Sequence, residues 1–532
     1  MAHMGDAGST VAQPPEAGHC NAPPGSRPHR VGAWLLVGSW ALLLMSWVFS
    51  NPPGYGPDEP AHYIKAIGVG RGELSGSPGQ FDVGPGFGPE QLRWINQNTR
   101  AIDVPGGLAP DGLPCSAVLD PTVSAGCVTS LPPSEPGPRL TYVGTYQPYL
   151  YILPGVMTRF ARTLGEGIVL ARLAGAATSL ALLGAAVALL NDRGQGRLSM
   201  VGPVAAVTPM VIFLGSAISA NGTEVAASIC YLAGVLGLTR PNKPPPWAWM
   251  VVAVAGAVLA LSRSLGPGFV ILGALLPLAL ISVRGAWSAL RRGGWWSVGT
   301  MAILAAGMAG GVGWELLRQG QPDVEATDAS VLVDAARSVF GYLLRQQVGV
   351  FGWNEVPLPE PAFALWVIGL VGLVGLALIA GSRRARLGMV LTVVVAVVTS
   401  MAVFAAVRRT GFPMQGRYVL PVMVAIPMLA GEILFRHRQR LSSQVQAGIL
   451  LAATVAAGAV QVTAWVVTAR RSAVGVTGPL FFSGQSQWQP PLGWGLWAVA
   501  TLVGGLLMVA AGLALSRPAH ELPQRGPQGE GV

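Results

Sequence analysis

Charge is scarce in this sequence. Only 11% of its 532 residues are Asp, Glu, Lys or Arg, less than half of the roughly 25% usual in a soluble globular chain. Lysine is nearly missing, with Lys65 and Lys243 standing beside 32 arginines. No H-E-x-x-H, no P-loop and no G-x-S-x-G occurs, so a zinc protease, a nucleotide-driven pump and a serine hydrolase lack their motifs. No internal repeat stands out, which weighs against an inverted-repeat transporter. The first apolar run lacks an A-x-A-type site, so no cleavable signal peptide is expected.

What is abundant is apolar side chain, at 51% of the chain. Twelve apolar runs recur, at 33–50, 168–190, 199–220, 223–239, 247–262, 265–283, 295–317, 361–381, 387–407, 418–435, 446–468 and 492–515. Each is near the ~20 residues that carry a helix across ~30 Å of hydrocarbon. A soluble enzyme, a disordered chain and a porin-type barrel are thereby excluded. The fold class is an all-α polytopic membrane protein of about 12 transmembrane helices. The formal charge of +10, from 34 basic and 24 acidic residues, is accounted for by basic loops that orient helices. No nucleic-acid partner is implied.

Placing the basic loops inside the cell puts a polar tail (1–30) and a second one (516–532) in the cytoplasm, both rich in Pro and Gly and expected to be disordered. The membrane domain spans 31–515. Two long segments fall outside, 51–167 and 318–360, and connections of that length usually carry function. Residues 146–162 are short and amphipathic, and loop parity makes them a juxtamembrane or re-entrant helix rather than a crossing. Residues 331–351 read as a second interfacial helix. Cys115 and Cys127 share the first external segment, where an oxidising exterior favours a disulfide between them. Cys20 and Cys230 are expected to stay unpaired.

Asp58, Glu59, His62 and Lys65 follow closely on the first helix. Two adjacent carboxylates can divide labour, one accepting a proton while the other holds a cation or an orienting bond. They can equally cap a juxtamembrane helix behind Pro57, and on this segment alone both readings stand. The same topology brings Gln147, Arg172, Asn221, Glu224, Arg263, Arg408, Arg409, Gln415, Arg417 and Tyr418 to the outer side. Charged groups beside hydrocarbon cost at least ~2.5–3.5 kcal/mol on insertion scales and mark function by default. Each arginine alone can snorkel to headgroups. Together, a carboxylate pair facing several arginines suits an anionic lipid headgroup, because a guanidinium binds phosphate through a planar fork and stays charged.

The motifs P-D-E-P-A-H-Y (57–63), Y-Q-P-Y-L-Y (146–151), A-R-L (171–173), V-G-V-F-G-W (348–353) and Q-G-R-Y-V-L-P (415–421) appear in order. Across roughly 33–440 the chain resembles an uncharacterised bacterial membrane family, domain-of-unknown-function family 2142. That family is grouped with the C-type glycosyltransferase fold of oligosaccharyltransferases, protein mannosyltransferases and lipid A aminoarabinose transferases. The resemblance implies a polyprenyl-phosphate-sugar donor, a long first external loop with juxtamembrane helices, and Asp58 as the leading base with Glu59 beside it. It also implies lipid-phosphate or acceptor contacts at Arg172, Glu224, Arg263 and Arg417. Relatives often carry an acid in the second external turn, and here Asn221 and Glu224 occupy that region. Metal ligands are unknown, and a divalent cation, Mg or Mn, stays open.

The function expected is an inverting glycosyltransferase in the cytoplasmic membrane with its active site facing outside. It would pass a sugar to a cell-envelope glycan, a lipid-linked glycan or a protein, with membrane lipid as a further partner. The alternatives are a transporter or flippase of a polyprenyl-linked glycan, which calls for charge at mid-membrane depth, and a non-catalytic scaffold.

Overall fold

The computed structural model describes residues 27–81, 86–109, 120–130, 134–191, 197–317 and 329–517. Most of both tails and Cys20 and Cys115 lie outside them. Helix α1 (Arg27–Ser50) starts inside the stretch assigned to the first tail. The segment that follows is more structured than its Pro- and Gly-rich composition suggests. It holds α2 (Glu59–Gly70), β1 (Ser77–Pro78), α3 (Pro89–Asn98), β2 (Arg100–Val104), β3 (Gly137–Thr141) and α4 (Ile152–Met157). The three strands form one antiparallel sheet in the order β1-β2-β3, with Ser77 opposite Ala101 and Arg100 opposite Thr141.

Short 3₁₀ turns extend α4 to cover Tyr149–Tyr151 and Thr158–Phe160. Twelve residues of helix span about 18 Å, too little for a crossing. Ile152, Leu153, Val156 and Phe160 are exposed, as an interfacial element requires. Gly155 and Gly70 let α4 and α2 touch backbone to backbone, because a Cβ on either would strike the other chain segment.

The bundle continues with α5 (Leu164–Leu190), α6 (Val201–Ala206), α7 (Pro209–Ser216), α8 (Ala220–Leu238), α9 (Pro246–Ala260) and α10 (Gly266–Leu275). Next come α11 (Val283–Gly293), α12 (Trp295–Leu317), α13 (Ala329–Ser338), α14 (Leu344–Gly349), the β4–β5 hairpin (Val350–Phe351, Val356–Pro357) and α15 (Glu360–Ala380). It closes with α16 (Arg383–Arg408), α17 (Leu420–Met423), α18 (Ala425–Arg436), α19 (Ser443–Val474) and α20 (Gly493–Ser516). The helix expected at 331–351 is α13 and α14 joined by a π-turn over Val339–Leu343, and its last two positions, Val350 and Phe351, belong to β4 instead.

All twelve apolar runs fall on helix. Among the described residues, however, seven helices are long and apolar enough to cross a bilayer, or nine if each bent pair counts as one crossing. The run at 199–220 bends by 60° between Ala206 and Pro209, where Thr208 caps the new helix through Val211 N and Pro209 opens it. The run at 418–435 is divided at Val424, and α9 is only 15 residues long. Helix packing relies on small residues, as in membrane bundles generally. Gly458 and Gly505 meet across α19 and α20, and Ser39 of α1 donates to the Gly504 carbonyl at 2.7 Å.

Candidate active site

Helix α2 begins with Asp58 in the left-handed region, at φ 57°, a conformation that Asp tolerates better than most residues. Its carboxylate makes no cap bond, so the capping role left open for it is not the one it plays. The side chain turns away to take a hydrogen bond from Tyr142 Oη at 2.9 Å on Oδ1 and an ion pair from Arg417 Nη2 on Oδ2. It keeps about a quarter of its exposure while Arg417 is buried. Burial alone would raise the Asp58 pKa. The Arg417 charge, His62 and the bonds from Tyr142 and Arg417 outweigh it and hold the carboxyl below its usual range.

Glu59 is built differently. It is fully buried, and each oxygen is surrounded by donors. Oε1 accepts from Arg172 Nε at 2.7 Å and Ile218 N at 3.1 Å. Oε2 accepts from Arg172 Nη2 at 2.5 Å, Gly54 N at 3.2 Å and Gly56 N at 3.3 Å. Arg172 spends its other hydrogens on the carbonyls of Val48, Asn51 and Pro52. The pair thus clasps the end of α1, the turn at 51–56 and α5 together. Burial would raise the Glu59 pKa, and the Arg172 charge and hydrogen bonds overcome it.

His62, one turn along α2, is buried against Tyr151, whose hydroxyl lies 2.7 Å from Nδ1. Desolvation lowers its pKa to about 4, with the Asp58 charge opposing and those of Arg417 and Arg263 reinforcing that shift. It is therefore neutral at physiological pH. Arg263, in the turn between α9 and α10, lies over Tyr146 at 5.6 Å and over Tyr418 at 4.8 Å. Two aromatic faces thus hold a guanidinium in place without using its N–H groups. Arg417 has Tyr418 at 5.5 Å, and its Nε and Nη1 are buried without a hydrogen-bond partner. Gln415 Oε1 is likewise buried and unpartnered.

The structure thus brings Asp58, His62, Arg263, Arg417 and Tyr418 into one neighbourhood. Glu224 adjoins it through the Arg263 charge, while Ser262 Oγ donates to its Oε1 at 2.9 Å and Asn221 Nδ2 to its Oε2 at 3.4 Å. Gln147 reaches the Gly311 carbonyl and Glu315, both at 3.4 Å. Lys65 is buried with its ammonium on the carbonyls of Leu74 and Gly144, which ties α2 to its own loop. Arg408 pairs with Asp334 at the surface. Cys127 is disulfide-bonded and Cys230 is free and buried. Among the described residues no three His, Cys, Asp or Glu side chains gather as metal ligands would.

Tyr142 was not singled out by the sequence, and nothing in the pattern around β3 distinguishes it. Tyr151 sits inside the Y-Q-P-Y-L-Y motif and was within reach. The geometry offers a carboxylate at a site edge, two arginines with unspent donors, and a neutral histidine between aromatic rings. Such a set can accept a proton from a hydroxyl and hold a multiply charged oxyanion.

Residues 41–426 match the family described as predicted membrane protein (DUF2142). No curated protein matches the chain. Two solved structures of ArnT from Cupriavidus metallidurans are similar to it. The apo form is 15% identical with a TM-score of 0.43, and the form bound to undecaprenyl phosphate is 16% identical with a TM-score of 0.42. Each alignment covers 91% of this chain and 76% of the other.

Proposed function

The chain belongs to the DUF2142 membrane protein family, and we propose that it is an inverting glycosyltransferase using a polyprenyl-phosphate-linked sugar at the outer face of the cytoplasmic membrane. One observation carries this reading. The Asp58 carboxylate is paired to an arginine whose Nε and Nη1 have no partner, beside a second arginine that lies over two tyrosine rings with the Glu224 charge nearby. Buried, unspent guanidinium donors next to a potential base are a site prepared for an anion.

In the proposed reaction Asp58 takes the proton of an acceptor hydroxyl. The acceptor oxygen forms a bond to the anomeric carbon as the bond from that carbon to the phosphate oxygen breaks. The phosphate leaves with the electron pair, and Arg417 and Arg263 hold the resulting charge. One displacement at one centre inverts its configuration. Arg417 links the two halves of the site. A donor phosphate competes with Asp58 for its guanidinium, so arrival of the donor loosens the pairing that depresses the Asp58 pKa and makes the carboxylate a better base. Glu59 and Arg172 position this machinery rather than touch the substrate. The acceptor is a cell-envelope glycan, a lipid-linked glycan or a protein.

The test is the envelope glycan profile of a strain lacking this protein, complemented with wild type or Asp58→Asn. Wild type should restore a missing sugar, and Asp58→Asn should insert normally yet fail to restore it. Full restoration by Asp58→Asn would remove Asp58 as the base.

A further inference from the structure

Helix α11 lies at the end of the bundle away from the candidate site. The α10 segment starts beside Arg263 and runs from it, and α12, 23 residues and so about 35 Å long, returns to Gln147. Between them α11 turns by 111° from the Gly266–Ala279 segment. Its residues divide by face at helical spacing. Arg284, Ser288, Arg291 and Arg292 follow i, i+4, i+7, i+8, and Val283, Trp287 and Leu290 follow i, i+4, i+7.

Leu290 packs on the core and Ala289 is buried, which fixes how the helix sits. Val283 and Trp287 remain 73% and 57% exposed, and the adjoining Trp295 is 88% exposed. Arg291 stacks on Trp287 at 5.3 Å, and Arg292 reaches the Arg240 carbonyl at 3.5 Å, beside the loop that carries Lys243. Among the described residues, no carboxylate pairs with Arg284, Arg291, Arg292 or Lys243. A sharply bent helix with a basic face, an exposed indole and further indoles at its end has the composition of an element lying in a bilayer interface.

We propose that α11 and the 240–246 loop form a binding site for anionic phospholipid headgroups in the cytoplasmic leaflet. The arginines take the phosphate and Trp287, Trp295 and Val283 take the upper acyl chain. Charge complementarity selects this occupant, since four cations with no carboxylate partner among the described residues face a surface that carries net negative charge. The proposal does not depend on the transferase reading.

Delipidated full-length protein in mild detergent is titrated with dioleoylphosphatidylglycerol and dioleoylphosphatidylcholine and read by native mass spectrometry. Wild type should prefer phosphatidylglycerol by at least ten-fold, given about five-fold per engaged cation. The triple variant Arg284→Gln, Arg291→Gln, Arg292→Gln should lose that preference, and the corresponding triple Lys variant, which keeps the charge, should retain most of it. Equal binding of the two lipids by wild type, or an unchanged preference in the Gln variant, would overturn the proposal. An acidic decapeptide that binds through the same arginines while phosphatidylglycerol does not would overturn it too, and would assign the surface to a protein partner. A Gln variant that cannot be purified shifts the decision to wild type and the Lys variant, where loss of preference in the latter refutes a charge-based site.

Discussion

Glu59→Gln separates the two adjacent carboxylates. The five donors around Glu59 divide as two on Oε1 and three on Oε2. A glutamine keeps one acceptor oxygen, best placed where three donors converge, and its amide NH₂ then faces Arg172 Nε and Ile218 N. Two hydrogen bonds are lost and a buried guanidinium loses its counter-charge. Removing one partner of a buried pair costs about 3–5 kcal/mol, a large share of a typical domain's total stability. Asp58→Asn affects a partly exposed carboxylate with two partners and should cost about 1–2 kcal/mol. Thermal unfolding of both variants in the same detergent should therefore show Glu59→Gln far less stable than Asp58→Asn. Arg172→Gln should be similarly unstable, and the double variant less so than the sum, because each single change already breaks the clasp. A Glu59→Gln protein that unfolds with wild-type midpoint yet fails to complement would show that Glu59 acts in the chemistry and that the clasp is incidental.

Three further outcomes follow from the same geometry. Tyr142→Phe removes a hydrogen-bond donor to the Asp58 anion and should raise the Asp58 pKa, so the acidic limb of the transfer rate moves to higher pH; an unmoved limb refutes that coupling. Because His62 stays neutral down to about pH 4 when folded but titrates near 6.5 when unfolded, the unfolded state binds more protons in that window. Stability should fall by about 3 kcal/mol from pH 7 to pH 4, and a denaturation series in which His62→Asn flattens the slope checks it. Gly155→Ala places a Cβ against the Ala66 carbonyl and Gly70 backbone, which cannot yield as a side chain would. It should cost about 1–3 kcal/mol and raise proteolysis near α4, whereas a wild-type digestion pattern would show that α2 and α4 separate freely.

What the sequence disclosed depended on whether the physical signal was local. Apolar runs are local, and all twelve fell on helix. Their number does not by itself give a count of crossings, because apolarity does not distinguish lipid from protein surroundings; among the described residues seven helices, or nine with the bent pairs, have the length and apolarity for one. In α8, 17 of 19 residues are buried, and the composition that suits hydrocarbon suits that environment equally. Breaks were less legible, since Thr208-Pro209 reads as a tolerable interruption until the cap bond and the 60° bend are seen. Asp58 stood out beside Glu59 because acids are rare here, yet two neighbouring carboxylates carry the same sequence signal. Their roles diverge only through partners recruited from afar, Arg172 at 113 residues' separation and Arg417 at 359.

The same distinction shows how the site is put together. A carboxylate that must stay ionised inside a largely apolar bundle needs a counter-charge, and any counter-charge that satisfies it completely also silences it. Glu59 accepts that outcome, with every lone-pair direction engaged and no exposure. Asp58 avoids it, because its arginine keeps two nitrogens without a hydrogen-bond partner and its carboxylate keeps a partly exposed edge. One acid fixes the turn that presents the other. The left-handed backbone at Asp58 is then the geometric condition for the division. It turns the carboxylate off the α2 axis toward Tyr142 and Arg417, while the next residue points back into the clasp.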